Sequence, residues 1–186
     1  LQDLDDMITR REEVMCAQAI FDGEIEVKGE GVDYVISFGH TNREVLSGQN
    51  LWSEPTSSKY ADLKRWVRIV QNTGFVNPDI VIVSPDVTDV LLKDEEILKL
   101  LDVRNVNIGE LRPQNLPNGA TYIGKIAGVG EIYEYSASYY DDVAEEVKPI
   151  VPDGTIALIA TEADFTMAYA AITIAKDNDL VTYEAD

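Results

Sequence analysis

The sequence has very few of the residues that build disulfides and transition-metal sites. Its 186 residues include one cysteine, Cys16, and one histidine, His40. A single cysteine excludes an intrachain disulfide and a cysteine-based zinc site, and a single histidine excludes a His-rich metal site. Apolar runs are short as well, since none reaches the roughly 18 residues that a membrane-spanning helix needs. We therefore expect no metal, no cofactor and no membrane span.

Positive charge is also scarce. Fifteen basic residues against 34 acidic ones give a formal net charge of −19. A surface this negative repels phosphate groups, which argues against nucleic-acid binding and against an adaptor for anionic membranes. The chain begins with Leu1 and carries no signal-peptide pattern, so we expect a fragment or the ordered part of a longer protein.

The remaining composition is that of an ordinary globular domain, with 45% hydrophobic and 26% charged residues. The length favours one domain or two small ones. A chain of this size buries roughly 70% of the surface that it exposes when unfolded. It therefore needs no covalent cross-links in order to fold.

The first 39 residues predict a helix followed by a hairpin. A helix over residues 1–21 is indicated by apolar residues at three- and four-residue spacing, and Gly23 is a natural stop. The apolar stripe consists of Leu1, Leu4, Ile8, Met15 and Ala19, with Met7 and Val14 beside it. Period-two alternation predicts strands over 24–28 and 32–39, joined by a turn at 29–31. One face of this hairpin needs a cover, and the preceding helix is the nearest candidate.

The middle of the chain predicts a loop and then an α/β core. Residues 40–59 are rich in turn-forming residues and indicate a long ordered loop anchored by Leu51 and Trp52. A helix over 58–72, ended by Gly74, leads to an apolar strand at 80–83. Ser84 is a plausible N-cap with Pro85 at the first helical position. Residues 87–92 and 97–101 then form one helix or two short ones.

The last third predicts strands. Residues 121–127 and 130–135 flank a glycine-rich turn, 156–160 form a buried run, and 167–175 form a final apolar stretch. An aromatic patch is expected from Tyr133, Tyr135, Tyr139 and Tyr140. The order of elements predicts an α+β fold with at least two sub-structures.

Several motifs resemble ligand sites and fail on inspection. The glycine-rich stretch 124–130 lacks a Gly-Lys-Ser/Thr ending and no helix follows it, so we interpret it as a plain β-turn. The segment 177–179 begins like a calcium loop, but it has no glycine at the sixth position and no glutamate at the twelfth. The acidic runs 94–96 and 141–146 are interpreted as solvated surface.

No catalytic constellation is recognisable. His40 with Ser37 or Ser47 could be imagined as part of a hydrolase triad, but there is no Gly-x-Ser-x-Gly turn to present a nucleophile. Cys16 lies in the middle of the predicted helix and is expected to be a small buried hydrophobe. Paired carboxylates of the glycosidase type stay open, because acidic residues are plentiful. We predict no catalytic, cofactor-binding or metal-binding residue.

Residues 10–27 resemble a run in lambda-type phage major capsid proteins. The matching positions are Arg11, Glu13, Met15, Ala17, Gly23, Ile25 and Val27. The strand end Ile36-Ser37-Phe38-Gly39 is similar to the family's I-D-F-G, with Ser37 where Asp is common. Trp52 before a helix that ends in Thr73-Gly74, and Pro78 before a strand, follow in the family's order. The resemblance covers residues 7–101 well and the remainder loosely. Segments that the family carries upstream and part of its C-terminal end are absent.

The resemblance implies an α+β fold of the tailed-phage coat-protein (Hong Kong 97-like) type. Residues 1–57 would be the end of the spine helix and the hairpin of the extended peripheral β-sheet, plus the loop. Residues 58–135 would be an α/β domain of the axial type, and 136–186 would be return strands that complete both parts.

The resemblance also implies a function and partners. The chain would be a non-enzymatic subunit of a phage or prophage icosahedral head that encloses DNA. It would pair with itself as pentamers and hexamers, and with scaffold, protease, portal and decoration proteins. It would be found in the virion, and in the host cytoplasm during assembly. The alternatives are a hydrolase with paired carboxylates and a non-viral interaction module that binds a peptide along the hairpin edge.

Overall fold

The computed structural model describes residues 2–29, 31–102, 114–115, 119–141, 144–167, 172–176 and 179–183. Within these residues it contains four α-helices and twelve β-strands, so the predicted mixture of helix and sheet is confirmed. Among the described helices, none combines the length and apolar character needed to cross a bilayer.

The N-terminal helix and hairpin form as predicted. Helix α1 spans Gln2–Ala17 and continues as a π-helical turn, Gln18–Asp22. Gly23 ends it with a left-handed conformation (φ +74°), and its N–H donates to the carbonyl oxygen of Gln18 at 3.0 Å. Strands β1 (Glu24–Gly29) and β2 (Val32–Ser37) then pair antiparallel.

The buried face of α1 differs from the predicted stripe. Val14 is 3% exposed and Ala17 is buried, whereas Met7 and Ile8 are 68% and 52% exposed. The physical reason is that, among residues 5–17, α1 packs through its C-terminal half, where Val14 and Ala17 form a small cluster with Ile150. The side chains of Leu1 and Leu4 from the predicted stripe lie outside the described part of the helix. Helical spacing shows which residues share a face, but not whether another element lies against that face.

The segment between β2 and the next helix is a loop, as predicted, with one 3₁₀ turn at Gly48–Asn50. Helix α2 spans Lys59–Gly74, and the Ser58 hydroxyl caps it by accepting from the N–H of Ala61 at 3.3 Å. The helix does not stop before Gly74, because Gly74 is its last residue and Phe75 takes the left-handed cap position instead. Gly74 is thus the end of the helix, as predicted, and the left-handed cap falls on the next residue.

A mixed sheet forms the centre of the molecule. Its strands are β3 (Ile80–Val83), β4 (Leu101–Asp102), β5 (Gln114–Asn115), β6 (Ala120–Ile126), β7 (Gly130–Tyr135) and β10 (Ile156–Ile159). The order is β10-β3-β7-β6-β4, and β5 also pairs with β6. Strands β3 and β7 are parallel, and the other pairs are antiparallel.

The predicted α/β core lies between this sheet and three helices: α2, α3 (Pro85–Leu91) and α4 (Glu95–Leu100). Leu63 of α2, Val81 of β3 and Ile97 of α4 are at most 1% exposed. Two short helices therefore follow β3. Ser84 precedes α3 as predicted, but its side chain makes no cap bond and its hydroxyl instead donates to the carbonyl oxygen of Thr155 at 3.2 Å.

A second hairpin lies against α1. It consists of β8 (Ser138–Asp141) and β9 (Glu146–Pro149), so the predicted acidic connection is the turn of a hairpin. The predicted aromatic patch is split. Tyr135 and Tyr139 pack on the α1 cluster, Tyr133 makes an edge contact with Tyr122 in the central sheet, and Tyr140 is exposed.

A third hairpin is formed by β11 (Ile172–Lys176) and β12 (Asp179–Tyr183). The predicted apolar stretch at 167–175 falls partly on β11. Residues 168–171 of that stretch lie outside the described residues.

Candidate assembly surface

The β1–β2 hairpin leaves much of its apolar surface open to solvent. Tyr34 and Val35 point to opposite faces of β2, and they are 53% and 51% exposed. Phe38, just after the strand, is 51% exposed. A two-stranded sheet with apolar residues open on both faces is not stabilised by its own chain there. We therefore consider this hairpin a candidate contact surface.

Helix α1 covers the hairpin only at its base. The Arg11 guanidinium donates to the backbone carbonyl of Glu26 at 3.0 Å, and the N–H of Phe38 donates to the carbonyl of Gly23 at 2.8 Å. Ile25 of β1 is buried, at 9%, whereas its cross-strand partner Ile36 is 39% exposed. The expected cover is thus present for β1 and missing for β2.

An open groove of about 280 Å³ lies where α1 meets the β8–β9 hairpin. Val14, Gln18, Tyr139 and Lys148 are among its lining residues. The Gln18 side-chain oxygen is buried without a hydrogen-bond partner, and the Lys148 ammonium is held by Asp141 at 2.7 Å. Asp22 and Asp153 also line the groove, but both residues are exposed, so the groove holds no desolvated pair of acids.

The resolved pKa shifts all move away from neutral pH. The pKa of Glu44 is lowered by hydrogen bonds from Arg65 and Trp66. Burial raises the pKa of Tyr133 to about 12, and the neighbouring Glu131 carboxylate adds to the effect. Burial and the Glu13 carboxylate raise the pKa of Tyr135 in the same way. Groups shifted in these directions keep one protonation state near pH 7, so they are poor general acids or bases.

The imagined triad residues do not form a site. His40, Ser37 and Ser47 are exposed, and the His40 ring lies against Gly23 and 6.5 Å from the Phe38 ring. In the part of the chain that the structure describes, no hydrogen bond joins His40 to either serine. The position of His40 is that of a loop residue packed over the end of α1.

Cys16 is exposed, so the prediction of a small buried hydrophobe is wrong. It lies between Val14 and Ala17, which both face the α1 cluster, and the helical turn carries Cys16 to the open side.

The acidic runs do not converge either. No group of three His, Cys, Asp or Glu side chains within the described residues could hold a metal ion. Asp94 caps α4, and its carboxylate accepts from the N–H groups of Glu96 and Ile97 at 2.9 and 3.1 Å. The calcium-like segment starts at Asp177 and Asn178, which lie outside the described residues.

The glycine-rich stretch is a β-turn, as predicted. Residues 127–129 connect β6 to β7, and Ile126 pairs with Gly130 across the turn. The Lys64 ammonium donates to the carbonyl of Gly128 at 3.2 Å. A strand follows the turn, so no helix N-terminus is directed at a phosphate.

The sequence analysis missed one exposed aromatic residue. Phe75 follows α2 with φ +56° and is 90% exposed. A helix stop at Gly74 accounts for the local pattern and gives no reason to single out the next residue. The available signal was an aromatic residue between a helix stop and the Asn77-Pro78 turn.

Comparison with known proteins gives a family match over nearly the whole chain. The family model for phage major capsid protein E matches residues 1–184, which extends well beyond the region 7–101 where the resemblance was clearest. No curated protein matches the sequence.

Solved structures share the fold. One is a prophage protein from E. coli CFT073 assigned as a capsid protein, with a TM-score of 0.72 and 22% identity, over 89% of this chain and 48% of that one. Another is a phage-related protein from Bordetella bronchiseptica RB50, with a TM-score of 0.52 and 13% identity, over 96% and 52% of the two chains. The present chain spans about half the length of these proteins.

The family match covers residues 1–184, and the E. coli prophage protein shares the fold. The chain belongs to the phage major capsid protein E family.

Proposed function

We propose that this chain is part of the structural subunit of a phage or prophage icosahedral head, which assembles with copies of itself into the shell that encloses DNA. The observation that carries the proposal is the family match over residues 1–184. In this role the chain is not an enzyme.

The β1–β2 hairpin supports self-assembly. Apolar side chains such as Tyr34, Val35 and Phe38 gain free energy when a neighbouring subunit removes them from water, at about 25 cal/mol for each Å² buried. Small contacts of this kind add up when one subunit meets several neighbours. The net charge of −19 keeps the shell from adhering to the DNA that it would enclose.

In finer detail, we propose the Hong Kong 97-like coat fold. Helix α1 would be the end of the spine helix, and β1–β2 would belong to the peripheral sheet, within residues 1–57. Residues 58–135 would form the axial-type domain, and residues 136–186 would complete both parts. Pentamers and hexamers would be the working assemblies, and scaffold, protease, portal and decoration proteins would be the further partners. The virion would be the final location, reached after assembly in the host cytoplasm.

Electron microscopy of the complete gene product, expressed together with its neighbouring genes, tests the proposal. Shells or capsomer-sized rings are the expected result. A strictly monomeric complete protein, encoded among genes unrelated to phage, would contradict it.

The double variant Tyr34→Thr/Val35→Thr should lower particle yield without lowering stability. Control substitutions at two exposed polar loop residues, Ser53→Ala/Thr56→Ala, should leave particle yield unchanged.

A further inference from the structure

Phe75 combines backbone strain with exposure. Its φ of +56° lies in the left-handed region, which a glycine adopts freely and an aromatic residue adopts at a cost. Gly74 directly precedes Phe75, but Gly74 stays helical. The left-handed conformation, with its cost in free energy, therefore falls on Phe75. The ring is 90% exposed, so the strain is not offset by packing within the chain.

The neighbouring turn is held in this conformation. The Gln71 amide donates to the Asn77 side-chain oxygen at 2.9 Å, and the Asn42 amide donates to the Thr73 hydroxyl at 2.7 Å. Pro78, at the entrance to β3, is buried. The end of α2 is therefore fixed, and it presents the Phe75 ring to solvent. A residue that costs stability and is held in place by its surroundings points to a function outside the fold.

The positive charge of Arg68, on the helix before Phe75, indicates what kind of surface the Phe75 ring contacts. Arg68 lies two helical turns before Phe75, is exposed, and forms no ion pair with any described residue. We call Arg68, Gln71, Asn72 and Phe75 the α2 tip. An exposed arginine on the helix that presents the Phe75 ring suits a partner whose surface carries many carboxylates. A second copy of this chain, with its net charge of −19, is such a partner.

We propose that the α2 tip is an anchor that docks onto a second copy of the same chain, with the Phe75 ring buried and Arg68 paired with a carboxylate of the neighbour. This inference rests on the proposed function, since it assigns one contact within the assembly. The tip of one subunit meets a different surface of the next, and head-to-tail contacts of this kind close into rings. Aromatic residues and arginine are the residue types that dominate binding free energy at interfaces.

The test uses the complete gene product and two readouts, particle yield and thermal unfolding. Phe75→Gly and Phe75→Asn remove the ring and fit the left-handed backbone. Both should lower particle yield at least tenfold, while the Tm of unassembled subunits stays equal or rises by about 2 °C. Phe165→Asn is the matched control, because Phe165 is a 69% exposed phenylalanine at ordinary φ. It should assemble like the parent protein.

Arg68→Glu tests the charge. It should lower particle yield at low salt more than at high salt, since ions screen contacts between exposed charges. Normal particle yield for both Phe75 variants overturns the proposal, and so does an equal loss for Phe75→Asn and Phe165→Asn. If the unsubstituted protein forms no particles under any condition, the proposed function itself has failed, which is a different result.

Discussion

Gly130, at the start of β7, allows the backbone to approach Asp79, the residue before β3. Its φ is +144°, and a Cβ atom there would lie 2.6 Å from the carbonyl oxygen of Asp79. The same carbonyl accepts from the N–H of Glu131 at 2.8 Å, so the two chain segments cannot separate without losing a hydrogen bond. Only glycine satisfies both the conformation and the contact.

We expect Gly130→Ala to lower the free energy of unfolding by about 2–4 kcal/mol, because strained backbone and a steric clash add together. Gly48→Ala is the matched control, since Gly48 has φ +58° and open space around it. That control should cost only about 1 kcal/mol. Urea unfolding of both variants measures the difference, and equal losses would show that the contact with Asp79 is unimportant.

Lys59 and Asp94 form a largely buried ion pair between α2 and α4. The ammonium lies 3.0 Å from the carboxylate, and the two side chains are 9% and 17% exposed. Asp94 also accepts two backbone N–H groups at the start of α4. Removing one member of such a pair leaves the other charge without compensation.

Asp94→Asn should lower the free energy of unfolding by about 2–3 kcal/mol, because Lys59 is left charged and poorly solvated. Lys59→Met should cost less, since Asp94 keeps its backbone donors. Glu95→Gln is the control, because Glu95 pairs with Lys99 at 3.7 Å on an open surface. Its effect should stay within about 0.5 kcal/mol, and chemical denaturation would reveal a reversed order.

At the scale of elements, an aromatic cluster fastens the long loop to α2. Both tryptophans of the chain take part, with the Trp52 and Trp66 rings stacked 5.5 Å apart. The Glu44 carboxylate accepts from the Trp66 indole at 2.7 Å and pairs with Arg65. The Trp52 indole donates to Asp62 at 2.9 Å. The loop is thereby ordered without regular secondary structure.

Glu44→Ala should loosen this cluster and change the tryptophan emission, because both indoles report on it. We expect a shift to longer wavelength and a loss of about 1 kcal/mol in the free energy of unfolding, because solvent at this partly exposed site weakens the hydrogen bonds to the charged acceptor. Glu54→Ala, in the same loop and exposed, should leave the emission unchanged. Unchanged emission in the Glu44 variant would mean that the loop does not depend on this contact.

The hairpin provides a second comparison between elements. Ile25 and Ile36 are directly opposite each other on β1 and β2, yet only Ile25 is buried. We expect Ile25→Ala to cost about 2–4 kcal/mol and Ile36→Ala about 1 kcal/mol in the isolated chain. Thermal unfolding of the two variants checks the order. Equal costs would indicate that the face that Ile25 and Ile36 share is covered on β2 as well as on β1.

For the whole molecule, pH controls stability through carboxylates with lowered pKa. Hydrogen bonds from Thr161 lower the pKa of Asp79. Burial alone would raise the pKa of Asp86 and of Asp94, but both values are lowered overall. Hydrogen bonds from Ser84 and backbone N–H groups outweigh burial at Asp86, and backbone N–H groups and Lys59 outweigh it at Asp94. Each lowered pKa in the folded state stabilises the fold when the group is ionised.

We expect this stabilisation to be complete above the unfolded-state pKa of about 4 and to disappear as the pH falls through the lower folded-state values. Urea midpoints measured from pH 7 to pH 3 should therefore fall steeply at the acid end. The difference between the parent protein and Asp94→Asn should shrink over the same range. Stability that rises below pH 4 would contradict the assignment and would mean that relief of repulsion among acidic residues dominates.

Much of the fold could be predicted locally. The bounds of β3, the start of α2 near Ser58, the hairpin at residues 24–37 and the turn at 127–129 follow from periodicity and turn-forming residues. The candidate surface could not be predicted in this way, because the same pattern describes a covered face and an open one. The cap at Phe75 and the exposed Cys16 were missed because local rules favour Gly74 and a buried thiol.

By itself the sequence determined the acidic charge, the α+β order of elements, the lack of the cysteines and histidines that metal sites need, and the family to which the motifs pointed. Those properties depend on composition and on neighbours along the chain. Only the tertiary structure decided that α1 packs through its C-terminal half and that both faces of β2 stay open. The reason is that burial depends on contacts between residues far apart in the chain, such as Val14 with Ile150, and periodicity contains no information about them.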